Sequence, residues 1–482
     1  MKGDVTRDTF NASRHFSRVL MQQGRVQLDA DWNEQTAILL HYLRALAADL
    51  IGPFGGPDNV GFGIFNATSQ KKTATTTPGE LSLSASEIES LTGMHVLLDG
   101  GRVPDGNFLL GKGHYYVDGL LCENENHVLY TGQPDLPAAE SFKGGQTLFY
   151  LAYLDVWERH ITYLEDESFP VTREVALGGP DTATRAKIVW QVKVLAVKDD
   201  PDLKPKTQIW ANFNNNWGAW VKRFEPENRG RLKARVKVPD VTDSNNPCLT
   251  RPDARYRGAE NQLYRVEIHQ GGKTGKATFK WSRENGSVVF PIVQIGEEMI
   301  TLAHLGRDHR QGLKVGDWVE LSNDEIVLSG TVPPLFQVDA IDPIDSTARV
   351  KIPKQGKPLP SAVTDEQPLI LRRWDHKSDL KDDGAVLLIE AGKEWLTLED
   401  GVQIQFQPDG EYRTGDYWLF PARTATGDIE WPRDKDGNPL SQPPHGIKHH
   451  YAPLAIVLIN AAGKIDNIDD LRSVMKPLAE KP

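Results

Sequence analysis

The segment Met21–Leu50, MQQGRVQLDADWNEQTAILLHYLRALAADL, carries the one long helical pattern in the chain. Trp32, Thr36, Leu39, Leu43, Leu46 and Leu50 follow one another at spacings of 4, 3, 4, 3 and 4, a heptad-like stripe. Asp31 is expected as the N-cap, with Glu34 three residues on to close a capping box. Gly52-Pro53 ends the pattern, because proline cannot continue the helical ladder. Upstream, Arg18–Leu28 reads as extended, since Val19, Met21, Arg25 and Leu28 share no helical face. Ile38, Leu40, Tyr42, Ala45, Ala47 and Ala48 widen the apolar surface beyond a two-position seam, and such a helix is normally covered. The first expectation is packing inside its own domain, and the second is docking onto partner subunits. Glu34, His41, Arg44 and Asp49 argue against a membrane span.

What surrounds this helix is bounded by composition. A chain of 482 residues exceeds one core, and about 100–200 residues per domain implies three or four domains. Net charge is −11, and no stretch gathers Lys and Arg among aromatics, which turns the expectation away from nucleic acid. Cys122 and Cys248 lie far apart, so neither a disulfide framework nor a four-cysteine zinc site is expected. No apolar run approaches the roughly 18 residues of a membrane span, so no direct membrane insertion is expected. The start, MKGDVTRDTFNASRHFSRV, lacks the apolar region of a signal peptide. Synthesis in the cytoplasm is expected, with any export by another route.

Beyond the helix the patterns are those of strands. Asp118-Gly119 between two apolar runs in GHYYVDGLLCENE predicts a hairpin with a type I′ turn. QTLFYLAYLDVW reads as a long strand, and RAKIVWQVKVLAV alternates at period two. Gly316-Asp317-Trp318 and Gly415-Asp416-Tyr417 each open a strand after a loop, a weak repeat that turn chemistry explains. The expected fold is mainly β and multi-domain, one long amino-terminal helix followed by several small antiparallel sandwich or barrel-like modules. Expected boundaries are an anchor strand and helix over 1–55, a β-rich domain over 56–137, and a β domain over 138–275 with a Trp-rich insertion at 199–252. Two related small β-modules follow, over 276–368 and 369–482.

Each cluster of chemistry-bearing residues also has a structural use that competes with a catalytic or metal-binding one. QGGKTG (Gln270–Gly275) lacks the first glycine of a phosphate loop, where Glu267 stands, and reads as a hairpin. His304 with His309, and His445 with His449 and His450, lie in glycine- and proline-rich loops, where local hydrogen bonding is the expectation over a metal. Asp29, Asp31 and Glu34 suit a helix start better than a glycosidase. Asp155, Glu158 and His160 form the better acid/base cluster, without a nucleophile motif beside it. The expectation is a protein that is not an enzyme, with no catalytic residue, cofactor or metal.

RHFSRVLMQQGRVQLDADWNEQ (14–35) resembles the signature of a bacterial domain family encoded with extracellular contractile injection systems, phage-tail-like particles with sheath, tube and baseplate. REVALGGPDTATRAKIVWQVKV and GHYYVDGLLCEN are similar to segments of that family and of phage-tail appendage proteins. The resemblance covers the chain to about Val197 and extends more loosely to YRVEIH, TFKWSRENG and GDYWLFPAR. It implies a structural or assembly component at a baseplate or fibre base, with baseplate, spike, sheath or fibre subunits as partners, self-associated within the assembly. Some relatives continue into carboxy-terminal binding modules, whereas this chain stops at Pro482, which turns the expectation toward the particle core. The docking residues expected on this reading are Met21, Arg25, Trp32, Leu39, Leu43 and Leu46. The alternative is a carbohydrate-binding or surface-attachment protein of the same particle, with Trp210, Trp217 and Trp220 stacking sugars. A hydrolase using Asp155 or Glu158 ranks third.

Overall fold

The computed structural model describes residues 1–66, 105–137, 139–165, 181–196, 217–224, 228–237, 255–354, 358–360, 368–377, 380–388 and 394–476, with Val103, Glu174 and Ala176. Within them the chain is mainly β, built from several small sheets, a closed six-stranded barrel and one long helix, Asp29–Ile51.

Period-two alternation produces the longest pairing. Leu148–Ile161 and Arg185–Ala196 run antiparallel from Tyr150 opposite Ala196 to Ile161 opposite Arg185. His450–Ile459 pairs along the other side of Leu148–Ile161, and Ile465–Asp470 completes the sheet. Successive side chains on a strand point to opposite faces. Leu154, Val156, Trp190 and Val192 therefore enter one core with Phe62, Tyr115 and Ile456. Tyr153, Asp155, Trp157 and Arg159 line the other face.

The expected hairpin is present: Gly113–Val117 and Leu120–Asn124 flank Asp118 and Gly119, at φ 47° and 77°. Positive φ at both central positions is what a type I′ turn requires. Gly119 also allows a close approach. A Cβ there would lie 2.2 Å from the backbone oxygen of Arg44, so the helix crosses the hairpin tip in direct contact.

The helix begins at Asp29, three residues earlier than expected if Asp31 is the cap, and Leu28 caps it without a side-chain bond. The anticipated capping carboxylates hold another segment. Asp29 accepts hydrogen bonds from the Thr6 N–H at 2.8 Å and hydroxyl at 2.6 Å, and Glu34 accepts one from the Thr9 hydroxyl at 2.7 Å. The first residues of the chain are thereby clipped to the helix start.

A second core lies between the sheet containing Thr278–Ser282, Gln262–Gln270 and Tyr417–Arg423 and a smaller one containing Val402–Phe406 and Leu232–Val236. Tyr264, Phe279, Ile404, Trp418 and Phe420 fill it. The barrel closes in the order Val289–Ile295, Met299–Leu302, Thr347–Lys351, Leu335–Asp342, Trp318–Ser322, Ile370–Trp374. Phe290, Ile300, Leu321, Phe336 and Leu371 fill its interior.

The strands do not respect the boundaries expected at 275/276 and 368/369. Thr278–Ser282 belongs to the sheet of Gln262–Gln270, and Ile370–Trp374 closes the barrel. Residues expected in the last module instead serve several sheets, including a parallel pairing of Val474–Met475 with Phe54–Pro57. Local patterning marks a strand but not its partner, which explains the difference. The Gly-Asp-aromatic repeat is a repeat of turn geometry. Gly316 and Gly415 take φ of 93° and 85°, and Asp317 and Asp416 accept bonds from the backbone N–H of Lys314 and Arg413. The strands that follow enter a barrel in one case and an open sheet in the other.

Where barrel meets sheet, charged side chains are buried together. Glu267 meets Arg265 at 2.6 Å, Lys2 at 3.0 Å and Lys280 at 3.3 Å. Glu320 pairs with Lys280 and accepts the Trp374 indole N–H at 3.1 Å, while the Lys280 ammonium lies 4.6 Å from the Trp374 ring centre. Burial pushes the Glu267 carboxyl up, but Lys2, Arg265 and Lys280 outweigh it and hold it well below the usual range. Burial pushes the Lys2 ammonium down to about 8 against the pull of the two glutamates. Removing one partner of a buried pair strands the other charge. Lys280→Met is expected to cost about 3–5 kcal/mol in denaturant unfolding; a loss below about 1 kcal/mol, the scale of an exposed pair, would contradict this placement.

Burial also pushes His269 down to about 3 and His376 to about 4, against a usual value near 6.5. Between those values the unfolded chain binds more protons, so this stability is complete above about pH 6.5 and is lost as pH falls through the folded values. His160, pushed down to about 3 by burial, acts in the same sense. Glu284, pushed up to about 7 by burial, opposes them above its usual value, as do Asp317, Glu399 and Asp416, raised by burial, while the Met1 amino group, lowered by burial to about 4, adds to the histidines across the whole range from pH 5 to 7. Thermal melting is expected at lower temperature at pH 5 than at pH 7, and a melting temperature that is equal or higher at pH 5 would contradict this balance.

Candidate functional site

The helical stripe faces solvent. Trp32 is 75% exposed, Leu39 53%, Leu43 61%, Leu46 56% and Leu50 77%, whereas Ala30 and Ile38 are the buried residues of the helix. The first expectation, a stripe covered by the chain's own sheet, is overturned. The helix is held by its other side and by polar ties. Arg44 donates two hydrogen bonds to Glu158, at 3.0 and 2.8 Å, and Val19 N–H donates to the Gln35 side-chain oxygen at 2.8 Å. The extended stretch before the helix adds exposed Leu20, Met21 and Val26 with exposed Arg25. All six docking residues anticipated from sequence thus stand on one continuous chain segment, exposed.

Taking Trp32, Leu39 and Leu46 as one seam position and Thr36, Leu43 and Leu50 as the other, the flanks are Asn33, Leu40 and Ala47 on one side and Gln35, Tyr42 and Asp49 on the other. Opposite charges, which would pair two identical helices across a narrow seam, are missing from these flanks. The surface is broad, apolar and suited to burial against a partner.

The acid/base trio does not assemble. Asp155 lies on one face of its strand, where its carboxylate meets Lys193 Nζ and His449 Nδ1, both at 2.7 Å. Glu158 lies on the other face with Arg44, and His160 Nε2 meets the Thr184 hydroxyl at 2.9 Å. The strand's period of two separates residues three apart. The histidines of the 445–450 loop go to different partners. His445 Nδ1 accepts from the Leu419 N–H at 3.2 Å, His449 meets Asp155, and His450 Nδ1 meets Asp118 at 2.8 Å.

Trp217 and Trp220 offer no open stacking face. Trp217 is 4% and Trp220 6% exposed, and their rings stack on each other at 4.8 Å and 17°. The Trp217 indole N–H donates to the Tyr451 carbonyl at 3.0 Å, which fastens the short helix Trp217–Val221 to the long-strand sheet. Trp210 lies outside the described residues. Aromatic bulk in an aperiodic stretch marked burial here rather than a ligand surface.

A cleft that sequence reading missed opens beside Asp155. Tyr153, Asp155, Lys193, His449 and Tyr451 line one side, Phe224 adds an aromatic edge, and Arg413, Thr414 and Asp416 stand opposite. Its volume is about 310 Å³. Burial pushes the Asp155 carboxyl up, but His449 and Lys193 outweigh this and hold it below its usual value. Burial raises Asp416 against the opposing effect of Arg229, which lies 2.7 Å away. The lining comes from distant strands that sheet pairing brings together, so no local spacing could have announced it.

A family model described as a family of unknown function (DUF6519) matches residues 1–208 and 228–466, and the chain belongs to that family. No curated protein and no solved structure matches the chain.

Proposed function

We propose that this family member is a structural, non-enzymatic component of a phage-tail-like contractile injection particle, seated at the baseplate or fibre base and docked through its amino-terminal segment. The observation that carries this reading is the exposed stripe Trp32, Leu39, Leu43, Leu46 and Leu50 on a helix whose other side is fastened to the body. Exposed apolar side chains in a continuous row cost solubility unless a partner covers them. Interfaces favour aromatic and arginine residues, and Trp32, Tyr42 and Arg25 stand along this surface. The resemblance to particle proteins is strongest over residues 14–35, which lead into the same helix. Two observations converge on one segment.

Deleting the segment would be a poor test, because Lys2 belongs to the buried charge network and Thr6 and Thr9 hold the helix start. Substituting the seam is cleaner. Leu39→Asp, Leu43→Asp and Leu46→Asp combined are expected to leave the melting temperature within a few degrees, since exposed substitutions shift stability by about 0.5 kcal/mol each or less. Co-sedimentation with purified particles should be lost. Undiminished co-sedimentation of the triple variant would count against docking through this helix.

A further inference from the structure

We propose that the cleft beside Asp155 binds one carboxylate-bearing sugar residue of the uronic acid kind, at a site separate from the helix seam. Its volume, about 310 Å³, lies at the small end of pockets that enclose small ligands. One wall is aromatic: the Phe224 and Tyr451 rings stack at 4.6 Å and 23°, and the Tyr153 ring lies 5.1 Å from Phe224. The apolar ring atoms that this stack leaves open to the cleft suit the C–H groups of a pyranose ring, which presents hydroxyls at its rim.

The polar groups decide the charge. Carboxylates in the lining already have donors. Asp155 takes Lys193 and His449, and Asp416 takes Arg229 at 2.7 Å together with the Arg413 backbone N–H at 3.4 Å. The shortage is of an acceptor: Arg413 lines the cleft, and Nη2 of its guanidinium is buried with no hydrogen-bond partner among the described residues. Leaving a buried cationic donor unmet is costly, and the planar guanidinium fork matches a carboxylate. Asp155 and Asp416 in the same lining favour a monoanion over a phosphate dianion, whose repulsion would be larger. Each carboxylate oxygen has more than one acceptor site, so both aspartates can still receive sugar hydroxyls, as can Thr414. A bare aromatic acid would leave the spare acceptor sites of the two aspartates and the Thr414 hydroxyl unused, which is the ground for preferring a sugar.

Calorimetric titration of the full chain with D-glucuronate, D-glucose, glucose 6-phosphate and benzoate tests the assignment. Saturable binding of glucuronate is expected, with the other three at least about tenfold weaker, the factor expected for one charged hydrogen bond. Arg413→Gln, checked by an unchanged melting curve, should weaken glucuronate by at least about tenfold. If that variant melts early, the ligand series on the unaltered protein decides. No saturable glucuronate binding, equal affinity for glucose, tighter binding of glucose 6-phosphate or benzoate, or full glucuronate affinity in a folded Arg413→Gln variant would each overturn the proposal.

Discussion

Glu267 and Glu320, buried between the barrel and the neighbouring sheet, hold together more separate pieces of this chain than any one apolar contact described above. Their partners come from residue 2, from Gln262–Gln270, from Thr278–Ser282 and from the barrel strand ending at Trp374. A buried ion network contributes little net stability compared with apolar packing of the same volume, but it tolerates few alternative arrangements. Here it fixes the barrel on the sheet and pins the start of the chain. Asn285 adds to this by donating to the Gly3 carbonyl at 2.8 Å. From Lys2 the chain runs only a few residues to Thr6 and Thr9, which hold Asp29 and Glu34. The charge network thus holds the stretch of chain that clips the start of the long helix, while Arg44 and Glu158 hold its later part.

This arrangement separates rigidity from recognition. The helix is tied at its start by hydroxyl–carboxylate bonds, in its middle by Arg44 to Glu158, and at the hairpin tip by the close approach at Gly119. None of these ties consumes the apolar stripe. A row of leucines held outward on a fixed rod loses little conformational freedom on docking, which is the physical advantage of preorganisation. The cleft lies elsewhere, between the long-strand sheet and the turn at Arg413–Asp416.

Much of the fold was legible because it is local. Alternation marked Leu148–Ile161 and Arg185–Ala196, and Asp118-Gly119 specified its own turn. Pairing was not legible, since Ile370–Trp374 carries the same pattern whether it closes a barrel or opens a new module. The stripe from Trp32 to Leu50 was visible, but periodicity describes a face and not what covers it. Asp29 and Glu34 suited a capping box, and only the tertiary position of Thr6 and Thr9 redirected them. The burial partners of Trp217 and Trp220 were not legible, because their sequence neighbourhood has no period and those partners, Tyr153 and Phe224 among them, include a strand far away in sequence. Asp155 was noticed without His449, its partner nearly 300 residues later.

The claim at the centre of this account is that the amino-terminal helix is the docking element of a larger particle. Density maps of intact particles with and without this chain address it most directly. The account predicts difference density in which the face bearing Trp32, Leu39, Leu43 and Leu46 is covered by a neighbouring subunit. A map that places the chain on the particle through the barrel or the long-strand sheet, with that helix face open to solvent, would contradict it.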